Sequence, residues 1–251
     1  MAFTDESNKM YVGRFLLPDE ILPWLKAQKK PTWAKYIMTH HTWSPTFSQW
    51  AGERTLKAIF NYYRDTRGWD SGKGPHFWIA PKYKNGPIGI WIGTHPYNKG
   101  IGAIDWNSDT LHCEYAWNGD VAPFTDSVLK VGAALMGALE EWIGIPLEPV
   151  KFLNGWAVKG KKGHLFHRDT PKAGKTCPGK KNTHELVFGR YKLYNTEQDV
   201  WTPEALWLKE KGIIQGYPDG TFRPQAKVTR GQLAIALKRF YAVIEKEFKF
   251  K

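Results

Sequence analysis

The sequence has few cysteines and no long apolar runs, and each absence narrows the kind of protein that it encodes. Only two of the 251 residues are cysteine, too few for the disulfide framework of a small secreted domain. No stretch reaches the roughly 18 apolar residues of a membrane span. The first ten residues, MAFTDESNKM, lack the basic and then apolar pattern of a signal peptide. We therefore expect synthesis in the cytoplasm without a signal peptide and no membrane span.

Acidic residues are also scarce. The 24 aspartates and glutamates are outnumbered by 36 lysines and arginines, which gives a formal net charge of +12. Such an excess predicts an anionic partner, namely nucleic acid, a membrane surface or an anionic cell-wall polymer. The basic residues are spread along the chain, and zinc-finger spacing, a basic region with heptads and an RNA-recognition signature are all missing. We therefore expect no nucleic-acid partner.

Aromatic residues are abundant, at 15% of the chain with 13 tryptophans. Aromatic side chains suit extended ligands such as glycans, but they also fill cores. Apolar periodicity predicts strands that alternate with helices, which favours an α/β fold with a mixed central β-sheet flanked by helices. Strands are expected over residues 34–41, 76–80, 88–92 and 111–117, and helices over residues 54–67 and 125–143. Residues 1–30 read as a helical lead-in with a helix start at Pro18.

The character of the sequence changes after about residue 190. Residues 200–240 read as helix, tight loop and helix, and the loop is GYPDGTFRP at residues 216–224. Residues 192–198 form a plausible linker. We predict a larger domain over residues 1–191, with an N-terminal helical extension, and a small helix-loop-helix module over residues 198–251.

One loop combines three reactive residue types. The segment HRDTPKAGKTCPG contains His167, Lys175 and Cys177 among prolines and glycines. Two histidines and a thiolate form a typical catalytic zinc site with one open position, and a strand that ends in His40 and His41 offers the missing histidine. Because these residues are far apart in sequence, spacing alone leaves open a chance grouping on a basic surface.

Residues 34–190 resemble the zinc-dependent N-acetylmuramoyl-L-alanine amidases of the type-2 family, to which the peptidoglycan-recognition proteins are related. Four segments carry the resemblance in the family's order: IMTHHT at 37–42, GPHF at 74–77, WN at 106–107 followed by LHCE at 111–114, and the HRD and KTCPG parts of residues 167–179. The resemblance implies a zinc ion held by His40, His167 and Cys177. It also implies that Glu114 transfers the proton and that Lys175 stabilises the oxyanion.

The sequence departs from the family's pattern at three places. Nine residues separate His167 from Cys177 where the family usually has seven, which leaves His164 as a competing ligand. Pro75 stands where many members carry a catalytic tyrosine. Members without this tyrosine use the strand glutamate instead, which strengthens the assignment of Glu114 as the catalytic residue. Ala103 replaces a histidine that often precedes the Trp-Asn pair.

The remaining histidines have simpler interpretations. His41 is expected to pack or hydrogen-bond, and His76 and His112 alternate with apolar residues, as structural histidines do on strands. His95 lies in a Gly-Thr-His-Pro loop and is a candidate substrate contact. Trp106 and Asn107 are further candidates for such a contact.

Residues 198–243 resemble one S-layer homology module, chiefly through GYPDGTFRP and through VTRGQ at residues 228–232. The resemblance implies that Thr229 and Arg230 bind an anionic secondary cell-wall polymer, because an arginine fork suits a carboxylate or ketal. Thr229 is also a fair N-cap for the last helix. The family usually has three such modules, so the single copy either binds the polymer weakly, acts through self-association or only stabilises the enzyme.

Together these features predict a peptidoglycan hydrolase of the phage endolysin kind, which acts on the cell wall after release from the cytoplasm. The alternative is a catalytically weak protein that binds peptidoglycan or the cell wall, as in recognition proteins that lack the zinc cysteine. The presence of Cys177 argues against this alternative.

Overall fold

The computed structural model describes residues 3–70, 72–171, 174–197, 203–216 and 228–248. The chain divides into two compact units, residues 1–192 and 193–251, each described by itself below. The strands are β1 (Tyr11–Leu16), β2 (Tyr36–His41), β3 (Phe77–Pro81), β4 (Ile88–Thr94), β5 (Thr110–Tyr115), β6 (Phe152–Leu153), β7 (Trp156–Ala157) and β8 (Gly163–Phe166). The helices are α1 (Ile21–Lys26), α2 (Glu53–Asp65), α3 (Asp126–Ile143), α4 (His184–Glu197), α5 (Pro203–Glu210) and α6 (Arg230–Phe248).

Six strands of the first unit form one mixed sheet in the order β1-β4-β3-β5-β2-β8. Three neighbouring pairs are parallel, namely β3 with β5, β5 with β2, and β2 with β8. Strand β4 is antiparallel to both β3 and β1. The predicted mixed sheet with flanking helices is therefore confirmed. Because β5, β2 and β8 are parallel, their carboxyl ends lie at the same edge of the sheet, where α/β proteins place their ligands.

The two faces of the sheet pack against different helices. Successive side chains of a strand point to opposite faces, so the face that carries Trp78 receives Leu56 and Phe60 of the amphipathic helix α2. Helix α3 packs on the other face, where the lack of a side chain at Gly132 makes room for the ring of Tyr115. Thr125 occupies the N-cap position of α3 in an extended conformation, without a side-chain hydrogen bond to the helix, and the helix ends at Gly144, which has a φ of 66°.

The expectation of a helical lead-in is wrong for most of the first thirty residues. Residues Tyr11–Leu16 form the edge strand β1, and the only helix in the described part of this segment is the short α1. The aromatic and branched residues of β1 pair with the free edge of β4, a tertiary contact that local helix propensity does not show.

The buried Glu6 ties this N-terminal segment together. Its carboxylate accepts hydrogen bonds from Lys9 Nζ (2.8 Å), Arg14 Nε (2.7 Å) and Trp24 Nε1 (3.1 Å). Burial alone would raise the pKa of Glu6, but these donors lower it to about 2. The segment before β1 is thus linked to β1 and to α1.

The second unit contains α5 and α6, as predicted from the sequence. Thr229 caps α6, because its Oγ1 accepts a hydrogen bond from the backbone N–H of Gln232 at 3.2 Å, while Gln232 Oε1 accepts one from the N–H of Thr229 at 2.9 Å. Most of the expected GYPDGTFRP loop lies outside the described residues. The boundary between the two units falls within the expected linker at 192–198, and helix α4 continues through this segment to Glu197. Within the described ranges, no helix is long and apolar enough to cross a membrane.

Candidate metal centre

The carboxyl-terminal edge of the sheet brings the proposed ligands together. His40 is the last buried residue of β2 and is paired in register with Glu114 of β5. Strand β8 ends at Phe166, and His167 opens a 3₁₀ turn directly after it. The loop that follows brings Cys177 back to the same place, so that residues far apart in sequence meet at one point.

The three ligands have the geometry of a metal site. One ligand atom from each of His40, His167 and Cys177 lies within 4.8 Å of the other two. The Sγ atom of Cys177 is 3.7 Å from Nδ1 of His40, and donors around a tetrahedral zinc ion lie roughly 3.5 Å apart at the usual bond lengths. Two imidazole nitrogens and one thiolate sulfur are also the donor types that zinc prefers. The residues present therefore fit a zinc ion.

Hydrogen bonds close the loop between His167 and Cys177 at its base. The backbone N–H of Arg168 donates to the carbonyl of Cys177 at 2.9 Å, and its guanidinium donates to the carbonyls of Gly179 and Asn182. These bonds place Cys177 beside the 3₁₀ turn whatever the length of the loop. The loop is two residues longer than the family's usual spacing, but its two ends still lie side by side.

The structure places His167, and not His164, in the group with His40 and Cys177. His164 lies within β8, is 1% exposed and packs near Phe188. Both of its ring nitrogens are buried without a hydrogen-bond partner among the described residues. The ring of His167 lies 4.8 Å from the ring of His40, centroid to centroid.

Asp169 secures the turn that carries His167. Its Oδ2 atom accepts a hydrogen bond from the backbone N–H of Phe166 at 2.7 Å and lies 2.8 Å from Nε2 of His184 in α4. The HRD motif therefore combines the proposed ligand His167 with Asp169, which holds the backbone before it, and Arg168, which holds the returning loop.

Glu114 is the carboxylate of the site. Its Oε1 atom lies 4.0 Å from Nδ1 of His40, and its Oε2 atom is buried with no hydrogen-bond partner in the described part of the chain. Burial raises the pKa of Glu114 to about 8, although the charge of Lys175 opposes this rise. An acid with a pKa near neutrality can both accept and donate a proton.

Burial also determines the charge states of the ligands. It lowers the pKa of His40, with a further contribution from His167, and lowers the pKa of His167 to about 4, with a contribution from Lys175. Both imidazoles are therefore neutral, as metal ligation requires. Burial raises the pKa of the Cys177 thiol, so the thiolate needs a cation beside it.

An open cleft of about 510 Å³ gives access to this group. Besides the ligands and Glu114, its walls include Trp43, Tyr63, Trp69, Pro75, Asp120 and Lys175. Trp43 is 62% exposed and has a φ of 60°, a conformation that is rare for a bulky residue. Pro75, at the family's tyrosine position, does line the cleft but offers no hydroxyl.

None of the three candidate substrate contacts, His95, Trp106 and Asn107, lines this cleft. His95 is fully buried, where its Nε2 lies 3.2 Å from Oε1 of Gln28 and its Nδ1 accepts the backbone N–H of Tyr97. Trp106 is 4% exposed and packs edge-on against Tyr36. These residues therefore support the scaffold, and we do not propose a glycan contact for them.

Asn107 shapes a loop beside the cleft. Its Oδ1 atom accepts hydrogen bonds from the backbone N–H groups of Gly102 and Ala103. Gly102 in turn lines the cleft.

Of the other histidines, His41 accepts the backbone N–H of Gly119 through Nδ1 at 2.9 Å, which leaves that nitrogen occupied.

Comparison with known proteins agrees with this geometry. Residues 28–180 match the family described as N-acetylmuramoyl-L-alanine amidase, and residues 197–234 match the S-layer homology domain. Because the first match covers more than half of the chain, the protein belongs to the N-acetylmuramoyl-L-alanine amidase family, and it carries an S-layer homology module after the amidase domain.

Individual proteins resemble separate parts of the chain. The outer membrane protein SlpA of Thermus thermophilus is 41% identical over 65 residues, which span 26% of this chain and 7% of that protein. The endolysin amidase LysCS from Clostridium intestinale is similar in structure over 76% of this chain and 95% of its own, with 16% identity and a TM-score of 0.45. The Ph2119 endolysin of a Thermus scotoductus bacteriophage is similar in structure over 76% of this chain and 97% of its own, with 18% identity and a TM-score of 0.44.

Proposed function

We propose that the protein is a zinc-dependent peptidoglycan hydrolase that cleaves the amide between the lactyl group of N-acetylmuramic acid and L-alanine. The observation that carries this proposal is the meeting of His40, His167 and Cys177 with the buried Glu114 in one open cleft. Membership of the amidase family supports the same reaction.

An amide is a poor electrophile and water is a poor nucleophile, so catalysis must act on both. A zinc ion held by the two histidines and the cysteine would supply Lewis acidity, which polarises a carbonyl and acidifies water. Glu114 would accept the proton of the attacking water and later deliver it to the leaving amine. It must be ionised to do so, and positive charge beside it, including that of Lys175, favours the ionised form.

Lys175 has a second proposed role. It is exposed at the wall of the cleft, two residues before Cys177, and its positive charge lowers the pKa of His167. A cation at this place would stabilise the negative charge that develops on the carbonyl oxygen during attack.

The second unit is proposed to hold the enzyme on the wall. Thr229 and Arg230 are both exposed at the start of α6, where they are available to an anionic secondary wall polymer. Together with the net charge of +12, this site would concentrate the enzyme on its polymeric substrate. We further propose that the protein acts as an endolysin of the phage or prophage kind, reaching the wall after release from the cytoplasm.

Zinc content and hydrolysis of soluble muropeptides test this function together. We expect about one zinc ion per chain by atomic emission, loss of hydrolysis after chelation, and recovery when zinc is restored. A protein that binds walls but contains no zinc and hydrolyses nothing would instead be the wall-binding protein considered as the alternative.

A further inference from the structure

We propose that His112 is a positioning residue for the metal ligand His40. The Nε2 atom of His40 lies 3.0 Å from Nδ1 of His112, and both side chains are buried. The two residues lie on adjacent parallel strands, where His112 stands two positions before Glu114, the register partner of His40. This inference rests on the proposed metal centre and assigns a role inside it.

The geometry determines which nitrogen of His40 faces the metal. Nδ1 is the atom that lies 3.7 Å from Sγ of Cys177 and 4.0 Å from Oε1 of Glu114. A histidine that binds metal through Nδ1 keeps its proton on Nε2, and ligand histidines usually donate that second N–H to an acceptor. In this chain the acceptor is Nδ1 of His112, which fixes the orientation of the ligand ring.

His112 is itself held in place. Its backbone N–H donates to Nδ1 of His76 at 2.9 Å, and Nε2 of His76 donates to the carbonyl of Asn98 at 3.1 Å. The rings of His76 and His112 stack with centroids 5.9 Å apart and planes 16° apart. Gly102 lies directly against the His112 ring, and a Cβ atom at Gly102 would overlap it. The imidazole therefore has little freedom to turn away from His40.

A purely structural role explains His112 poorly. When Nδ1 accepts a hydrogen bond, the proton of His112 is on Nε2, and this atom is buried without a partner among the residues that the structure describes. A buried donor without a partner costs free energy that an apolar side chain of similar size would avoid. The hydrogen bond to His40 explains why an imidazole occupies this position.

The test compares zinc affinity in two variants of similar size. His112→Asn keeps an acceptor oxygen near the position of Nδ1, whereas His112→Leu removes it. His164→Leu is the matched control, because His164 is also fully buried on a neighbouring strand but does not touch a ligand. Zinc dissociation constants of the full-length proteins are measured by competition with a chromogenic chelator, and the melting temperature of each metal-free protein is measured alongside.

We expect His112→Leu to weaken zinc binding by about 10- to 100-fold, the usual effect of losing such a partner. His112→Asn should recover most of this loss, and His164→Leu should bind zinc like the wild type. Equal affinities of the wild type and His112→Leu would overturn the proposal, and so would equal losses in the Leu and Asn variants or in the His164 control.

If neither His112 variant folds, Gly102→Ala decides the question, because its added Cβ displaces the ring from outside. Weaker zinc binding in this variant supports the proposal, and unchanged binding overturns it. A wild-type protein that binds no zinc would refute the metal centre itself. A zinc-binding wild type with an unaffected His112→Leu would refute only the role of His112.

Discussion

His40 and Glu114 are register partners on adjacent parallel strands, and Oε1 of Glu114 lies 4.0 Å from Nδ1 of His40. The sheet backbone therefore fixes the distance between one proposed ligand and the proposed proton carrier. His167 and Cys177 come from a loop that hydrogen bonds close at its base. A site on rigid elements holds its geometry more accurately than a site on loops alone.

The ligand set gives the first prediction. His40→Ala, His167→Ala and Cys177→Ala should each lower zinc occupancy and abolish hydrolysis, because each removes one of three protein ligands. Zinc content and turnover of soluble muropeptides are measured on the same samples. His164→Ala should keep both properties. A His164→Ala protein without zinc, beside a His167→Ala protein that retains it, would reverse the assignment.

Glu114→Gln separates proton transfer from metal binding. The variant should keep its zinc and lose most activity, by about 10²- to 10⁴-fold, because the amide cannot take up a proton from water. The measurement is turnover of a soluble muropeptide at equal zinc content. Turnover near that of the wild type would mean that another group serves as the base.

The proposed ligands can be named from the sequence because four short segments resemble those of the amidase family in the same order, whereas residue spacing alone is a weak signal. The strand that ends in His40, the His167–Cys177 loop and the strand of Glu114 were placed correctly, and the parallel sheet then brings them to one edge. The position of His112 against His40 was not foreseen. Alternation along β5 shows that His112 and Glu114 share a face, but the contact depends on how the neighbouring strand is registered.

Other differences between the sequence-based expectations and the structure also arise from contacts between residues far apart in the sequence. Local patterns predict helix where β1 lies, because its pairing partner β4 is about eighty residues away in sequence. Tyr63 and Trp69 reach the cleft from α2 and the turn after it, and apolar periodicity alone marks such residues as core. The sequence makes His95 a candidate substrate contact in a loop, but the N-terminal segment covers it through Gln28. Long-range packing, which local patterns do not encode, decided each of these cases.

The S-layer homology module gives a prediction about binding. Arg230→Ala should weaken binding to intact walls more than Lys238→Ala, which removes an equal charge from an exposed position outside the motif. Pelleting with purified walls at about 0.15 M salt measures this, because screening then acts within roughly 8 Å and nonspecific attraction is reduced. Equal losses in the two variants would indicate simple electrostatic attraction instead of a pocket.

The same module can be removed as a whole. Deleting residues 198–251 should leave hydrolysis of soluble muropeptides nearly intact, because every proposed ligand and Glu114 lie earlier in the chain. Binding to intact walls should fall. If the shortened protein is unfolded by circular dichroism, the module is a structural brace and the targeting role is wrong.

Glu6 gives a prediction about stability and pH. Its pKa is about 2 in the folded protein, below its ordinary value, so its contribution is fully present above about pH 5 and is lost as the pH falls toward 2. Glu6→Gln should therefore lower the free energy of unfolding at pH 7, and the gap to the wild type should narrow toward pH 3. Urea denaturation at both pH values measures this gap. A gap that is the same at pH 7 and pH 3 would show that the charge of Glu6 contributes nothing.

Mass spectrometry of digested peptidoglycan tests the central claim most directly, because it shows which bond is cut. Purified walls are treated with the zinc-containing wild type and, in parallel, with Cys177→Ala. We expect free lactyl carboxylates on muramic acid and new N-terminal L-alanine on the stem peptides, with the wild type only. Cleavage at a glycosidic bond or within the stem peptide, or equal release by Cys177→Ala, would contradict it.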